Sequence, residues 1–321
     1  MNVLLIFVDG LGVGTRDAHN PLSLHEAHVA PLAVFAGEPT RTIFNGVCCL
    51  TDARLGVEGR PQSASGQTTI LTGINAALAL GFHKQGFPNQ ALRDIIQEHS
   101  IFLQLQRCGI APNVFANAYP PSFFNKRPRW VAATTVAVEA AGMNFLTFGE
   151  LCKGDALIHD FTNELAPETL ARLQIADGTL ERRTPEQAAQ ILASITVRHR
   201  FTLYEYFLTD RAGHAQDFSQ AERVLIQLSS FVRHVLRAVD LHKTTVILTS
   251  DHGNIEDLSV RTHTLNPVPT LAWGAGCELV ARRVSSLTDI TPTIIELLTQ
   301  FKENITDETN AAERSITHAT V

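Results

Sequence analysis

The run Thr244 to Leu248, TTVIL, is β-branched and apolar, and it stops abruptly at Thr249-Ser250-Asp251-His252-Gly253-Asn254. A short segment without polar alternation fits a strand buried on both faces of a parallel sheet. Its end sets a carboxylate and an imidazole at a strand's carboxyl edge, where ligands bind in open α/β sheets. Two other segments have the same form. Residues 2–8, NVLLIFV, run straight into Asp9, and Thr202 to Leu208, TLYEYFL, leads to Thr209-Asp210-Arg211-Ala212-Gly213-His214. Between such strands lie helical patterns: 87–99, Ala132 to Ala141, and a helix opened by Thr184-Pro185-Glu186-Gln187. A long amphipathic stripe runs through Val224, Leu228, Phe231, Val235 and Val239. Strands alternating with helices predict an α/β fold with a central, mostly parallel sheet flanked by helices.

The chain has 321 residues, 45% of them hydrophobic and 18% charged. That length suffices for one large core. We read a single catalytic domain over 1–301, with small lid elements within 75–200, and a polar, non-periodic tail over 302–321. The net charge of −6 and the lack of Lys/Arg runs argue against a nucleic-acid partner or an anionic membrane. Five cysteines, without CxxC spacing, read as reduced thiols of a cytoplasmic protein. The apolar start is broken by Asp9, too early for a signal peptide or a membrane span. The glycines at 10, 12 and 14 lack the spacing of a dinucleotide fingerprint.

Parallel strands would carry Asp9, Asp210 and Asp251 to one rim of the sheet. His252 adjoins Asp251, His214 lies four residues after Asp210, and His263 follows in the loop His263-Thr264-Leu265-Asn266-Pro267-Val268-Pro269. At four-residue spacing on a helix, Asp210 and His214 share a face. Clustered carboxylates repel one another unless cations intervene. Six ligands of carboxylate and imidazole type suit two divalent metal ions better than one, and such sets serve Zn2+ and Mn2+ alike. A two-metal site clamps the attacking and leaving oxygens of an in-line displacement, which points to a small phosphorylated substrate. The nucleophile is sought in Pro61-Gln62-Ser63-Ala64-Ser65-Gly66-Gln67-Thr68-Thr69, where small hydroxyl residues enter a helix. A helix N-terminus favours anions. Ser63 is the hydroxyl placed there, with Ser65, Thr68 and Thr69 as alternatives. Lys126, Arg127 and Arg129, among aromatics in SFFNKRPRW, are candidates for an anion clamp or for a solvated loop.

These motifs resemble the alkaline phosphatase superfamily, and within it the metalloenzyme branch that includes cofactor-independent phosphoglycerate mutase. Ser250-Asp251-His252-Gly253-Asn254 with His263-Thr264-Leu265-Asn266-Pro267-Val268-Pro269 is similar to that mutase, Asp210 to His214 to the superfamily's D-x-x-x-H pair, and Thr288-Asp289-Ile290-Thr291-Pro292-Thr293 to its late D-I-x-P-T segment. The resemblance implies an alkaline-phosphatase-like sandwich. It also implies one metal on Asp210, His214 and His263, a second on Asp9, Ser63, Asp251 and His252, and Ser63 as nucleophile.

Two departures matter. Gln67 stands where the mutase segment has His, and 74–200 must also supply core elements, leaving little for the large inserted domain of the mutase. A thin lid admits water to a phosphoserine. The expectation is therefore phosphate-ester hydrolysis, by a phosphatase or phosphodiesterase, with mutase-like intramolecular transfer as the alternative. A sulfatase is disfavoured because Ser63-Ala64-Ser65-Gly66-Gln67 lacks the C/S-x-P-x-R pattern, and a non-catalytic metal-binding fold because all seven expected ligands are present.

Overall fold

A computed structural model describes residues 1–300 apart from 24, 25, 40, 41 and 177. The segment 302–321 thus lies outside the described residues. Six strands form one sheet: β1 (Asn2–Val8), β2 (Val47–Thr51), β3 (Asn113–Phe115), β4 (Phe201–Tyr206), β5 (Thr244–Ser250) and β6 (Val268–Gly274). Their spatial order is β2-β6-β5-β1-β4-β3. β1 lies between β4 and β5, parallel to both, and β3 continues the parallel set. Only β6 runs against its neighbours β5 and β2.

The central strands are apolar on both faces because both faces are covered. Successive side chains in a strand point to opposite sides. Leu4, Ile6 and Val8 accordingly join Tyr204, Tyr206, Val246 and Leu248 on one side. The helices Pro185–Val197 and Phe218–Ala238 pack there, the latter through Leu225, Leu228, Phe231 and Val232. Val3, Leu5 and Phe7 join Phe201, Leu203 and Ile247 on the other side. That side is covered by Ser63–Thr72, Gln90–His99, Ile101–Arg107 and Ala133–Ala140, and by a helix over 290–300. Each large side chain so buried contributes about 1.5–3 kcal/mol.

The expected start at Thr184 holds in detail: its hydroxyl accepts from Gln187 N, the Gln187 side chain answers to Thr184 N, and Pro185 occupies the first turn. Among the described residues no helix is long and apolar enough to cross a membrane. The five cysteines are free thiols.

Register sets the rim. Val8 pairs with Tyr206 on one side and Ser250 on the other, so three neighbouring strands end level. β6 begins where β5 ends, so the loop before it, with His263, returns to the same edge.

Candidate metal centre

Asp9 leaves the end of β1, Asp251 and His252 the end of β5, and Asp210 and His214 lie one turn apart on the helix Leu208–Ala215. These residues and His263 form two triads, Asp210-His214-His263 and Asp9-Asp251-His252, each with ligand atoms within 4.8 Å of one another. In the first, His214 Nε2 lies 3.4 Å and His263 Nε2 3.5 Å from the Asp210 carboxylate, and the two nitrogens are 3.2 Å apart. In the second, His252 Nε2 lies 3.3 Å from Asp9 Oδ1 and 3.5 Å from Asp251 Oδ2. The His252 and His263 rings stack at 3.6 Å and join the triads into one cluster.

Both imidazoles of the first triad are anchored through Nδ1. His263 Nδ1 donates to Pro61 O at 2.9 Å and His214 Nδ1 to Arg261 O at 2.8 Å. Carbonyls only accept, so Nδ1 carries a proton in each ring and Nε2 is the atom turned to the Asp210 carboxylate. Two imidazole nitrogens 3.2 Å apart beside a carboxylate form a ligand set for a cation. Backbone-anchored imidazole is also the usual arrangement around a metal. In the second triad, Asp9 Oδ1 and His252 Nδ1 are buried without a hydrogen-bond partner among the described residues. The donor set fits divalent cations in both places.

Protonation follows the same charges. Burial, then the carboxylates of Asp9 and Asp210, push Asp251 well above the usual carboxylate range. Burial works against the charged form of Asp210 too, but its bond to His263 and the nearby imidazoles outweigh it and hold the carboxyl down at about 2. For His252, burial favours the neutral ring, and the Asp9 carboxylate, 3.3 Å from its Nε2, overcomes it and raises the pKa.

Ser63 opens the helix Ser63–Thr72, and its Oγ lies 3.1 Å from His252 Nε2. The N-cap Gln62 gives this helix no side-chain cap; Ser65 N donates to Lys84 O at 3.3 Å, and the N–H groups of Ser63 and Ala64 have no acceptor among the described residues. Ser65, Thr68 and Thr69 are fully buried, and their hydroxyls bond backward to Gln62 O, Ala64 O and Ser65 O. Gln67 Nε2 reaches Asp9 Oδ2 at 3.4 Å and Asp251 Oδ2 at 3.3 Å. A neutral amide therefore bridges two carboxylates of the second triad without adding a charge.

Two of the three cations at 126–129 have partners of their own. Arg127 pairs with Glu139 and lies over Phe123, Arg129 lies over Trp130, and Lys126 is exposed beyond the helix Pro121–Asn125. No contact among the described residues joins them to the triads. The guanidinium set against the cluster is that of Arg60, whose Nη1 donates to His263 O at 3.0 Å. Sequence reasoning also passed over Glu256, which is 1% exposed. Its carboxylate accepts from Gly12 N at 2.9 Å, Asn254 N at 2.7 Å, Thr264 Oγ1 at 2.5 Å and Asn266 Nδ2 at 3.1 Å. One buried acid thus ties together the loops after β1 and β5 and the loop before β6. Thr264 and Asn266 of the His-Thr-Leu-Asn motif serve it, which was the available signal. A Cβ on Gly253 would fall 2.2 Å from Glu256 Oε1, so only glycine leaves room for the carboxylate.

The chain is similar to known proteins in sequence and in fold. A relative named 2,3-bisphosphoglycerate-independent phosphoglycerate mutase, from Desulforudis audaxviator, is 31% identical over 143 residues, covering 43% of this chain and 25% of the relative. In Roseobacter denitrificans the figure is 27% over 200 residues, 58% of this chain and 39% of the relative. The matched stretch is therefore well under half of those proteins' length. Among solved structures, the PH0037 protein of Pyrococcus horikoshii superposes with a TM-score of 0.54 at 15% identity, covering 92% of this chain and 96% of that one. A cold-active alkaline phosphatase from a psychrophilic Shewanella gives 0.51 at 12% identity, covering 93% and 100%. At that identity the likeness speaks for the fold, a six-stranded and mostly parallel sheet with alkaline-phosphatase architecture. Residues 1–301, which contain both triads and the helix of Ser63, match one family over their whole length, and the chain belongs to the Metalloenzyme superfamily.

Proposed function

We propose that the chain is a two-metal phosphoryl-transfer enzyme that hydrolyses phosphate esters through a phosphoserine on Ser63. One observation carries the reading: the Ser63 hydroxyl, half-buried and reachable, stands 3.1 Å from His252 at an uncapped helix N-terminus, beside two triads joined by stacked imidazoles. Asp210, His214 and His263 would hold one cation, and Asp9, Asp251, His252 and Ser63 the other. Bound there, two divalent cations (Zn2+ or Mn2+) supply Lewis-acid stabilisation of the charge on the transferring group.

The chain's own groups do the rest. Ser63 Oγ attacks phosphorus in line; its O–P bond forms as the bond to the alcohol oxygen breaks, and the alcohol departs with the proton that the Ser63 hydroxyl gives up. The N–H groups of Ser63 and Ala64, at the start of the helix Ser63–Thr72, receive a phosphoryl oxygen. Gln67 and Glu256 hold the carboxylates and loops in place, so that little rearrangement is needed as charge develops. Water then attacks the phosphoserine and returns Ser63 with inorganic phosphate.

Mutase-like transfer is the second reading, favoured by the names of the relatives in sequence. Hydrolysis is preferred because Leu92, Ile96, Phe102, Leu105, Val136 and Leu192 commit much of the intervening chain to the core. Little beyond 142–183 remains to exclude water from the intermediate.

The test is a screen of phosphomonoesters, phosphodiesters and phosphoglycerates, with chelated protein reloaded with Zn2+ or Mn2+ and all products identified. Release of inorganic phosphate marks a hydrolase, and isomerised phosphoglycerate a mutase. Ser63→Ala should abolish turnover and acid-stable phosphorylation, while most bound metal survives by elemental analysis. Full activity in that variant would remove Ser63 from the mechanism.

A further inference from the structure

Beside the metal centre lies a cavity of about 480 Å³ that no step above uses. Its floor is the end of the sheet next to β3, where Asn117 and His159 meet: Asn117 Nδ2 lies 3.2 Å from His159 Nδ1 and donates to Glu205 O at 2.8 Å. One wall is the helix Leu208–Ala215, through Phe207, Leu208 and Arg211. Arg211 follows Asp210 directly, so its side chain leaves the helix about 100° around from a member of the first triad. The opposite wall, from Phe148, Ile158 and Leu165, is apolar. β3 stands two strands from β1, about 10 Å at the spacing of a sheet. A molecule of ordinary substrate size can therefore reach from the triads into the cavity.

Charged residues of both signs line the cavity. Asp160 and Glu164 line it, but Asp160 accepts from Thr162 N and Oγ1, and Glu164 faces Arg182 at 3.7 Å. Arg172 and Arg211 also line it, and neither makes an ion pair among the described residues. The cavity thus offers apolar walls and two uncommitted guanidinium groups. That chemistry suits an anion attached to an apolar body, and the volume is that of a small-molecule site.

We infer that this cavity receives the alcohol part of the ester, an apolar, ring-sized group bearing a second anionic substituent such as a carboxylate. The inference rests on the phosphoryl-transfer reading of the neighbouring centre. It makes Arg172 and Arg211 specificity determinants that touch the leaving group and not the phosphoryl group.

The test compares 4-carboxyphenyl phosphate with phenyl phosphate on the metal-loaded full chain, and separately titrates 4-hydroxybenzoate, the alcohol product, by calorimetry. The carboxylated ester should lead in kcat/KM by at least tenfold, and Arg172→Gln should bring the ratio near unity, mainly through KM. Ile158→Trp, which fills the cavity, should raise KM for both esters and abolish 4-hydroxybenzoate binding. Inorganic phosphate should inhibit that variant as it inhibits the wild type, which shows that the fold and the centre are intact. Ester turnover with a ratio unmoved by Arg172→Gln and no binding of 4-hydroxybenzoate would overturn the cavity's role and leave the phosphoryl-transfer reading standing. Arg172-dependent binding of 4-hydroxybenzoate without turnover of any ester would support the cavity and overturn that reading.

Discussion

At the scale of single residues, buried carboxylates divide into those that are satisfied and those that are not. Glu256 has four donors around it and behaves as a structural anchor. Glu205, 4% exposed on β4, has one, the Thr134 hydroxyl at 2.8 Å. Burial, with a smaller push from Asp9 and against the Thr134 bond, raises its pKa from 4.5 to about 7. Between those values the folded state binds more protons at this site than the unfolded chain does, so stability falls as pH rises through the window. The loss is complete above pH 7 and amounts to about 3 kcal/mol. Glu205→Gln stays neutral and still accepts from Thr134. In chelator-treated protein its urea unfolding free energy, set against wild type, should differ little at pH 4.5 and lead by a few kcal/mol at pH 8. A constant offset between the two curves would remove Glu205 as the source of the slope.

At the scale of elements, the helix Ser63–Thr72 places the candidate nucleophile, and one close approach sets its distance. A Cβ on Gly66 would lie 2.8 Å from Asp251 O and 2.9 Å from Asp251 Cβ. Those are backbone and near-backbone atoms of the turn that carries two candidate ligands, Asp251 and His252, so neither side can yield cheaply. Gly66→Ala should push the helix start away from β5. A misplacement near 1 Å costs about 100-fold in rate, whereas such overpacking costs about 1–3 kcal/mol in stability. The expected outcome is a folded protein, by urea denaturation, with kcat down about 100-fold; wild-type turnover would show that the contact does not position Ser63. What could be read in the sequence follows the same division. Asp9, Asp251 and His252 stand at the ends of apolar runs, and Asp210 and His214 at helical spacing, so strand and helix periodicity alone bring them together. Gln67, Glu256 and Arg60 leave no such trace, because their roles depend on contacts between loops. The cations at 126–129 carried a signal of composition, and local partners, Glu139 for Arg127 and Trp130 for Arg129, absorbed it. The cavity walls were invisible for the same reason: 142–183 has short helices, Phe148–Lys153 and Pro167–Leu173, too brief for a period to emerge.

At the scale of the molecule, the fold gathers at one rim three carboxylates that are far apart in the chain, with Asp251 fully buried and Asp9 9% exposed. Their mutual repulsion is a cost of folding without cations, and it is what raises Asp251 after burial itself. Cations held as proposed would bind the assembled rim and not the unfolded chain, whose candidate ligands are dispersed over more than 200 residues. Each site would therefore stabilise the folded state by about 4 kcal/mol when metal is a thousandfold above its Kd. Chelation should lower the unfolding temperature, and the temperature should climb with added Zn2+ or Mn2+. Asp251→Asn separates the two effects. Without metal, at pH 8, it removes a buried charge that Asp9 and Asp210 repel, and should be more stable than wild type by about 1–3 kcal/mol. With metal it lacks a ligand of the second triad, and should recover only about half of the wild-type gain. Thermal unfolding of both proteins across a metal titration checks this: the curves should cross, the variant ahead at zero metal and behind at saturation. Parallel curves would mean that the rim's carboxylates do not hold the cations, because an acid that repels its neighbours in the apo protein is the same acid that a bound cation turns into a stabilising ligand.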